Sequence, residues 1–433
     1  MPSLSLSTRR RRAGLWLLLA GGFLFVNFHR TTTAVLADPL ARAFDATGAE
    51  LGLLHASFFY VYAPLQLPAG LIVDRYGPRR VGAVGLGVLT GGVVAFAVAE
   101  TLVAGYLARA VVGLGGSVLY ISTLRFCANW FRADEYATMT GYTVAAAGVG
   151  GVLATTPLAL ATQRVGWRTA MLAAGAATGV LTVAIAVAVR DEPSDAEAAV
   201  VDVGRGEERR VASAAETLAN VRRVVVEPET WLMGIALFCV LGVNFTVLGL
   251  WGVPFLVDTY GISIARASTF VLVGNVGFVL GSPALGALSD RLGRRTELIV
   301  ATALAFTAAY GVLLFVPPLP IVAAALFVAL LGNGGVALVF TVGKERHAPR
   351  VAGTITGVVN GVGYFGAAVL PGVMGAVLDA YWTGEMINGA RVYTVFGYRV
   401  AFGIATLAGV VATVAAVVLH RRESRSGSRP TVD

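Results

Sequence analysis

Charge is scarce in this chain. Asp, Glu, Lys and Arg make up 13% of its 433 residues, against about 25% in an average soluble domain. So few charges cannot coat a water-facing surface, which excludes a soluble enzyme and a disordered segment. Cys127 and Cys239 are too few for a disulfide framework, and neither falls in a CxxC or Cys/His zinc spacing. Both read as small apolar fillers of helices, and no metal or cofactor is expected. There is no Walker A loop and no Gly-rich strand–helix turn, so nucleotide phosphates have no cradle. The net charge of +8 is scattered over short loops without interleaved aromatics, which argues against nucleic acid.

What the chain has instead is apolar length. Hydrophobic residues make up 56% of it and the mean hydropathy is +0.75. Apolar runs lie near Ala13–Leu36, Leu51–Val73, Val81–Ala99, Leu102–Leu124, Ala137–Ala161 and Thr169–Val189. A second set follows near Trp231–Val257, Ala267–Leu288, Leu298–Val316, Ile321–Val342, Val351–Leu378 and Thr394–Leu419. Each can cross a hydrocarbon core of about 30 Å as a helix. Helix is required, because backbone groups in lipid must be satisfied within the segment. Runs this long also exclude an outer-membrane barrel, whose spans alternate over about 10 residues. Fifty-three glycines suit helices that approach closely in lipid.

Basic residues set the orientation. With both termini in the cytoplasm, 25 of the 33 Lys and Arg fall on that side and 6 on the other, leaving Arg30 and Arg109 inside spans. That bias is the positive-inside signature of a multi-pass protein of the cell membrane. Arg9–Arg12 followed by Val35-Leu36-Ala37 resembles a signal peptide, but Asn27, His29 and Arg30 interrupt the run and its length spans. The expected organisation is a cytoplasmic tail (1–12), six helices (13–189), a charged cytoplasmic linker (190–230) with a surface helix around Arg209–Val226, six more helices (231–419) and a second tail (420–433).

The halves repeat. Gly70, Asp74, Arg75, Gly77 and Arg79 return after 216 residues as Gly286, Asp290, Arg291, Gly293 and Arg295, each copy between the second and third span of its half. This doubled G-x-x-x-D-R-x-G-x-R loop, with 6+6 spans and a long charged middle, resembles the signature of the major facilitator superfamily. The resemblance covers essentially the whole chain. It implies an all-α fold of 12 transmembrane helices in two pseudo-symmetric six-helix bundles around a central cavity, rocking to open alternate sides. The loop itself has a physical reading as a conformational latch. Each Asp can cap a neighbouring helix N-terminus, the arginines can pair with acids or lipid phosphates, and glycine permits the turn. The plainer alternative is that the arginines only enforce topology.

Ionisable residues inside spans are functional candidates, because a charge at mid-bilayer costs at least about 2.5–3.5 kcal/mol. No Asp or Glu lies deep in any span; Asp38, Glu100, Asp258, Asp379 and His55 fall near outer ends. Arg30 and Arg109 are therefore left without a fixed counter-ion, and a bidentately held anion is the economical partner. Arg30 could also snorkel to the interface, and Arg109 could bond carbonyls of neighbouring helices. The resemblance places Arg109 at an arginine frequent in the family's fourth span, and Arg30 at the first-span arginine of its anion-transporting branches. Acidic residues that accompany these arginines there are replaced here by His29 and Gly116. His29, which titrates near neutrality, becomes the candidate for proton coupling. Asn27, Tyr60, Gln66, Asn244, Trp251, Asn275, Asn333, Asn360 and Tyr364 complete the substrate-binding candidates as polar or aromatic residues in apolar spans; Asn and Tyr serve equally as interhelical glue.

The fifth span carries Gly148-Val149-Gly150-Gly151 with Pro157 displaced, unlike the G-P-x-x-G-G element of exporter branches. The expected function is a secondary transporter or facilitator, not an enzyme. It would move a small organic or phosphorylated anion by alternating access, as a monomer in the lipid bilayer, with a coupling proton or a counter-transported anion. A proton-coupled exporter of drugs or metabolites and a non-transporting receptor on the same fold are the alternatives.

Overall fold

The structure is a computed structural model that describes residues 6–193, 214–347, 349–387 and 390–427. Among the described residues twelve helices are long and apolar enough to cross a membrane. In the first half they are spans 1–6: Arg10–Thr31, Gly48–Tyr76, Pro78–Val98, Leu102–Trp130, Thr138–Val165 and Trp167–Ala188. Spans 7–12 are Pro228–Tyr260, Ile264–Leu292, Arg295–Leu313, Leu319–Glu345, Val351–Ala380 and Val395–Arg425.

The halves pack alike. Spans 1 and 5, 2 and 4, and 3 and 6 pair in the first; spans 7 and 11, 8 and 10, and 9 and 12 repeat the pairings in the second. Between the halves, span 2 packs on span 11 and span 5 on span 8, contacts exchanged by the same pseudo-two-fold axis. Two bundles so related enclose a space at their shared axis.

Local breaks refine the apolar runs. The first helix stops at Thr31, and a second one, Thr33–Phe44, carries Pro39. Proline removes a backbone donor, and the threonine run Thr31–Thr33 offers hydroxyls that compete for helix carbonyls. Span 7 contains a five-residue π-helical segment, Val247–Trp251, a wide turn that shifts carbonyls out of register and recurs at functional sites. Between spans 11 and 12 lies an antiparallel hairpin, β1 (Trp382–Ile387) and β2 (Ala390–Tyr393). The apolar pattern did not foreshadow it, because its exposed first strand is too short and polar to register as a run. The expected linker helix is seen as Ala214–Val226; the linker residues 194–213, including Arg209, lie outside the described residues.

The repeated loops sit on the face that bears both termini. Asp74 pairs with Arg125 of span 4 (3.4 Å), not with a helix N-terminus. The cap at span 3 comes from Asp191, whose Oδ1 accepts from the Arg79 backbone N–H at 2.7 Å while the Arg79 guanidinium donates to the Ala186 carbonyl. Gly77 turns the chain at φ +82°, and Gly293 does so at φ +65° in the second copy, conformations costly for other residues. There Asp290 pairs with Arg295 (3.1 Å), which also reaches Glu345 of span 10 at 2.9 Å. Arg75 stacks 5.4 Å from the Tyr76 ring, Arg291 is exposed, and Gly70 and Gly286 face open space. Among the described residues the first copy thus contacts its own half and the start of the linker, and the second copy its own half.

On the same face Arg12 clamps Glu135 with two hydrogen bonds of 2.8 and 2.6 Å. Burial by itself would raise the Glu135 carboxyl, but the Arg12 bonds and the Arg132 backbone N–H outweigh it and hold the group below its usual range. The pair's contribution is therefore complete above the ordinary carboxylate pKa and disappears as pH falls through the lowered value. The melting-temperature difference between the parent protein and Glu135→Gln is expected to close on acidification; a gap that persists below the glutamate range would show that packing, not ionisation, holds this end together.

Candidate functional site

A small cavity of about 20 Å³ lies where the halves meet. Span 1 contributes Asn27, Arg30 and Thr31, and span 2 contributes His55. Span 5 lends a floor of small residues, Ala147, Gly148 and Gly151. The second half supplies Asn244, Phe245 and Gly249 from span 7, Asn275 from span 8 and Asn333 from span 10. Five of the expected residues, Asn27, Arg30, Asn244, Asn275 and Asn333, are thus brought to one place from four helices.

Arg30 is the one charge fixed in that wall. It is buried, one guanidinium N–H is held by the Asn27 side-chain oxygen, and the guanidinium carbon lies 4.2 Å above the Phe245 ring of the other half. Its Nε has no partner, and no carboxylate is among the cavity-lining residues. Arg30 is deep rather than snorkelled.

Arg109 does something else. Its Nη1 donates to the His29 carbonyl at 2.6 Å and its Nη2 to the Arg30 carbonyl at 3.5 Å, between the Phe58 and Phe96 rings. Those carbonyls belong to the last turn of the first helix, whose terminal oxygens lose their intrahelical donors and carry the negative end of the helix dipole. Arg109 is absent from the cavity lining, so the expected two-arginine site becomes one arginine facing the cavity and one bracing the helix that carries it.

His29 also faces away from the cavity. Its Nε2 meets the Thr178 hydroxyl of span 6 at 3.2 Å, and it is absent from the cavity lining. His29→Gln, which preserves a side chain able to meet that hydroxyl, is expected to leave initial uptake within about threefold of the parent and its pH profile unmoved; a shifted profile would restore His29 as the proton carrier.

Other expected contacts are likewise displaced. Tyr60 is 44% exposed on the outer surface of its helix. Gln66 and Asn360 satisfy each other across the halves at 3.0 Å. Tyr364 packs behind the cavity wall, 5.8 Å from Phe245 and edge-on to Tyr62 at 4.8 Å. Trp251 donates to the Pro371 carbonyl (3.2 Å) and stands against Tyr393, tying span 7 to span 11. An aromatic or amide in an apolar run is a polar group that must find a partner, and sequence spacing does not say which.

His55 and Thr33 are the candidate residues that the apolar pattern underrates. Span 2 begins only at Gly48, so His55 stands seven residues into it, about 10 Å along the axis. The Thr33 hydroxyl donates to the Gly249 carbonyl at 2.6 Å, inside the π-helical segment. Its single proton is thereby used, so toward the His55 Nδ1 at 2.5 Å it can only accept. Nδ1 consequently carries the ring proton, and in the neutral imidazole Nε2 is a bare acceptor; that atom is buried and unpartnered. Asn333 Oδ1 is unpartnered as well. The cavity wall therefore offers one charged donor and two acceptors without partners. Among the described residues no cluster could hold a metal ion.

Apart from Gln66 with Asn360, hydrogen bonds between the halves gather at the face opposite the termini. Besides Thr33 with Gly249, the Thr156 and Ser268 hydroxyls meet at 3.1 Å, and Asp379 of span 11 accepts from the Gly48 and Ala49 backbone N–H groups of span 2. The cavity is closed on that side.

Fold, doubled loops and a central cavity define a carrier of the alternating-access type. The chain belongs to the Major Facilitator Superfamily, whose family model matches residues 18–371. It is 26% identical to a probable sulfoacetate transporter, SauU of Cupriavidus necator, over 89% of this chain and 91% of that one. It is 25% identical to the membrane sensor protein UhpC of Escherichia coli, over 87% and 88% respectively. The fold superposes on the crystal structure of a bacterial homologue of the human lysosomal transporter Spinster with a TM-score of 0.76, at 18% identity, covering 97% of this chain and 99% of that one.

Proposed function

We propose that this protein is a secondary transporter of a small organic anion that carries a hydrogen-bond donor beside its charge, such as a hydroxy acid. The observation that carries the reading is Arg30: a buried guanidinium on the cavity wall with an unpartnered N–H and no carboxylate beside it. A buried charge without a partner is unfavourable, and a bound anion removes that penalty. His55 Nε2 and Asn333 Oδ1 would accept from a hydroxyl on the solute. The names of the relatives, a sulfoacetate transporter among them, support an anionic cargo. The basic bias puts the termini in the cytoplasm, so the state described is closed to the outside, and the protein works as a monomer.

Purified protein screened by thermal unfolding against matched pairs, lactate with propionate and 3-hydroxybutyrate with butyrate, tests this reading. Ligand binding to the native state raises its melting temperature. The hydroxylated member of each pair is expected to shift it more; neutral sugars stabilising better than any acid would overturn the anionic site. The relationship to a sensor supports a second reading, binding without transport. Uptake of the stabilising acid into proteoliposomes separates the two: accumulation supports the carrier, and binding without flux supports the sensor.

A further inference from the structure

The first turn of any helix leaves backbone N–H groups without intrahelical partners. In span 2, Thr47 and Glu50 form a capping box that satisfies their own two donors. The Gly48 and Ala49 donors are satisfied from the other half of the molecule. The Asp379 carboxylate, at the end of span 11, accepts from Gly48 N at 2.8 Å through Oδ1 and from Ala49 N at 2.7 Å through Oδ2. A carboxylate set on a helix N-terminus gains both charge-assisted hydrogen bonds and the dipole. Close packing makes the reach possible. A Cβ on Gly48 would come within 2.9 Å of the Gly375 carbonyl, and one on Gly52 would overlap the Pro371 backbone. On its far side Asp379 meets Arg391 of β2 at 3.2 Å and the Tyr393 hydroxyl at 3.5 Å, so the hairpin supports it.

From this geometry we infer that Asp379 is the latch that holds the face opposite the termini closed, and that its detachment from the span 2 N-terminus is a required step in opening that face. Span 2 cannot tilt from span 11 without withdrawing both N–H groups from the carboxylate, whereas Arg391 and Tyr393 stay with Asp379 because they belong to its own half. The latch is distinct from the repeated loops, which follow spans 2 and 8 on the opposite face. It rests on the proposed alternation of access for its purpose, but its test needs no substrate.

The test is thiol accessibility of the cavity in the full-length protein. Ala147→Cys places a small reactive group on the cavity wall; the native Cys127 and Cys239 are buried, and the parent without Ala147→Cys gives the background. A membrane-impermeant maleimide is applied to the face opposite the termini. Asp379→Asn, which replaces one acceptor oxygen by an NH2 group facing a backbone N–H, is expected to raise the labelling rate about tenfold or more. Arg391→Ala, which leaves both backbone bonds in place, is expected to raise it less than threefold. Ala49→Pro removes one of the two donors at a first-turn position that tolerates proline and is expected to act in the direction of Asp379→Asn, which covers the case in which Asp379→Asn does not accumulate in the membrane. Unchanged labelling in folded Asp379→Asn or Ala49→Pro overturns the latch. An accelerated rate in a protein that proves not to transport would uphold the latch while removing the carrier reading.

Discussion

Arg30→Ala is expected to abolish uptake while leaving the protein folded in the membrane. Removing one partner from a buried charge-assisted contact costs about 2–5 kcal/mol, so anion binding should weaken about 30-fold to several thousandfold. Stability should change little, because deleting a buried charge that no carboxylate neutralises offsets the lost Asn27 and Phe245 contacts. Arg30→Lys should recover only part of the affinity, since an ammonium cannot grip a carboxylate with the planar fork of a guanidinium. Proteoliposome uptake with thermal unfolding of the same preparations is the measurement. Full transport by folded Arg30→Ala would remove the anion site.

Arg109→Ala is expected to fail for a different reason. It removes the Arg109 donors from the Arg30 carbonyl and from the His29 carbonyl, which keeps only the Thr32 hydroxyl at 3.1 Å, and a buried group left unsatisfied costs about 1–3 kcal/mol. It also leaves a void between Phe58 and Phe96. Its melting temperature should fall by several degrees, and uptake should fall with it because the strand of chain carrying Arg30 loses its brace. The contrast between the variants is the diagnostic. Lost uptake with unchanged stability in both would mean that Arg109, too, faces the solute, as the sequence first suggests.

The two arginines show where reading along the chain reaches its end. Each is a charge in an apolar run, and one dimension treats them alike. They separate only when Arg109 is seen spending its donors on the broken end of the first helix, where the Thr31 and Thr32 hydroxyls also bond the helix carbonyls. His55 presents the opposite case. It was placed near an outer end by counting, yet span 2 starts at Gly48 and a hydroxyl from the first half, a carbonyl from a π-helical turn in the second and the ring itself form one chain of hydrogen bonds. Such a chain joins positions 33, 55 and 249 and has no spacing to detect.

The twelve apolar stretches, their organisation in halves and the doubled loop were legible in the linear order of residues. Each is a local property: hydrocarbon demands about 20 apolar residues per crossing and a helix to satisfy its own backbone, and a repeated loop is a repeated string. Which of the polar residues meet was decided only by the packing of helices from distant parts of the chain. Asn27, Arg30, His55, Asn244, Asn275 and Asn333 became one cavity, Gln66 and Asn360 neutralised each other, and Asp379 reached the start of span 2. The physical reason is that a buried polar group is defined by its partner, and in this fold the partner stands up to 331 residues away.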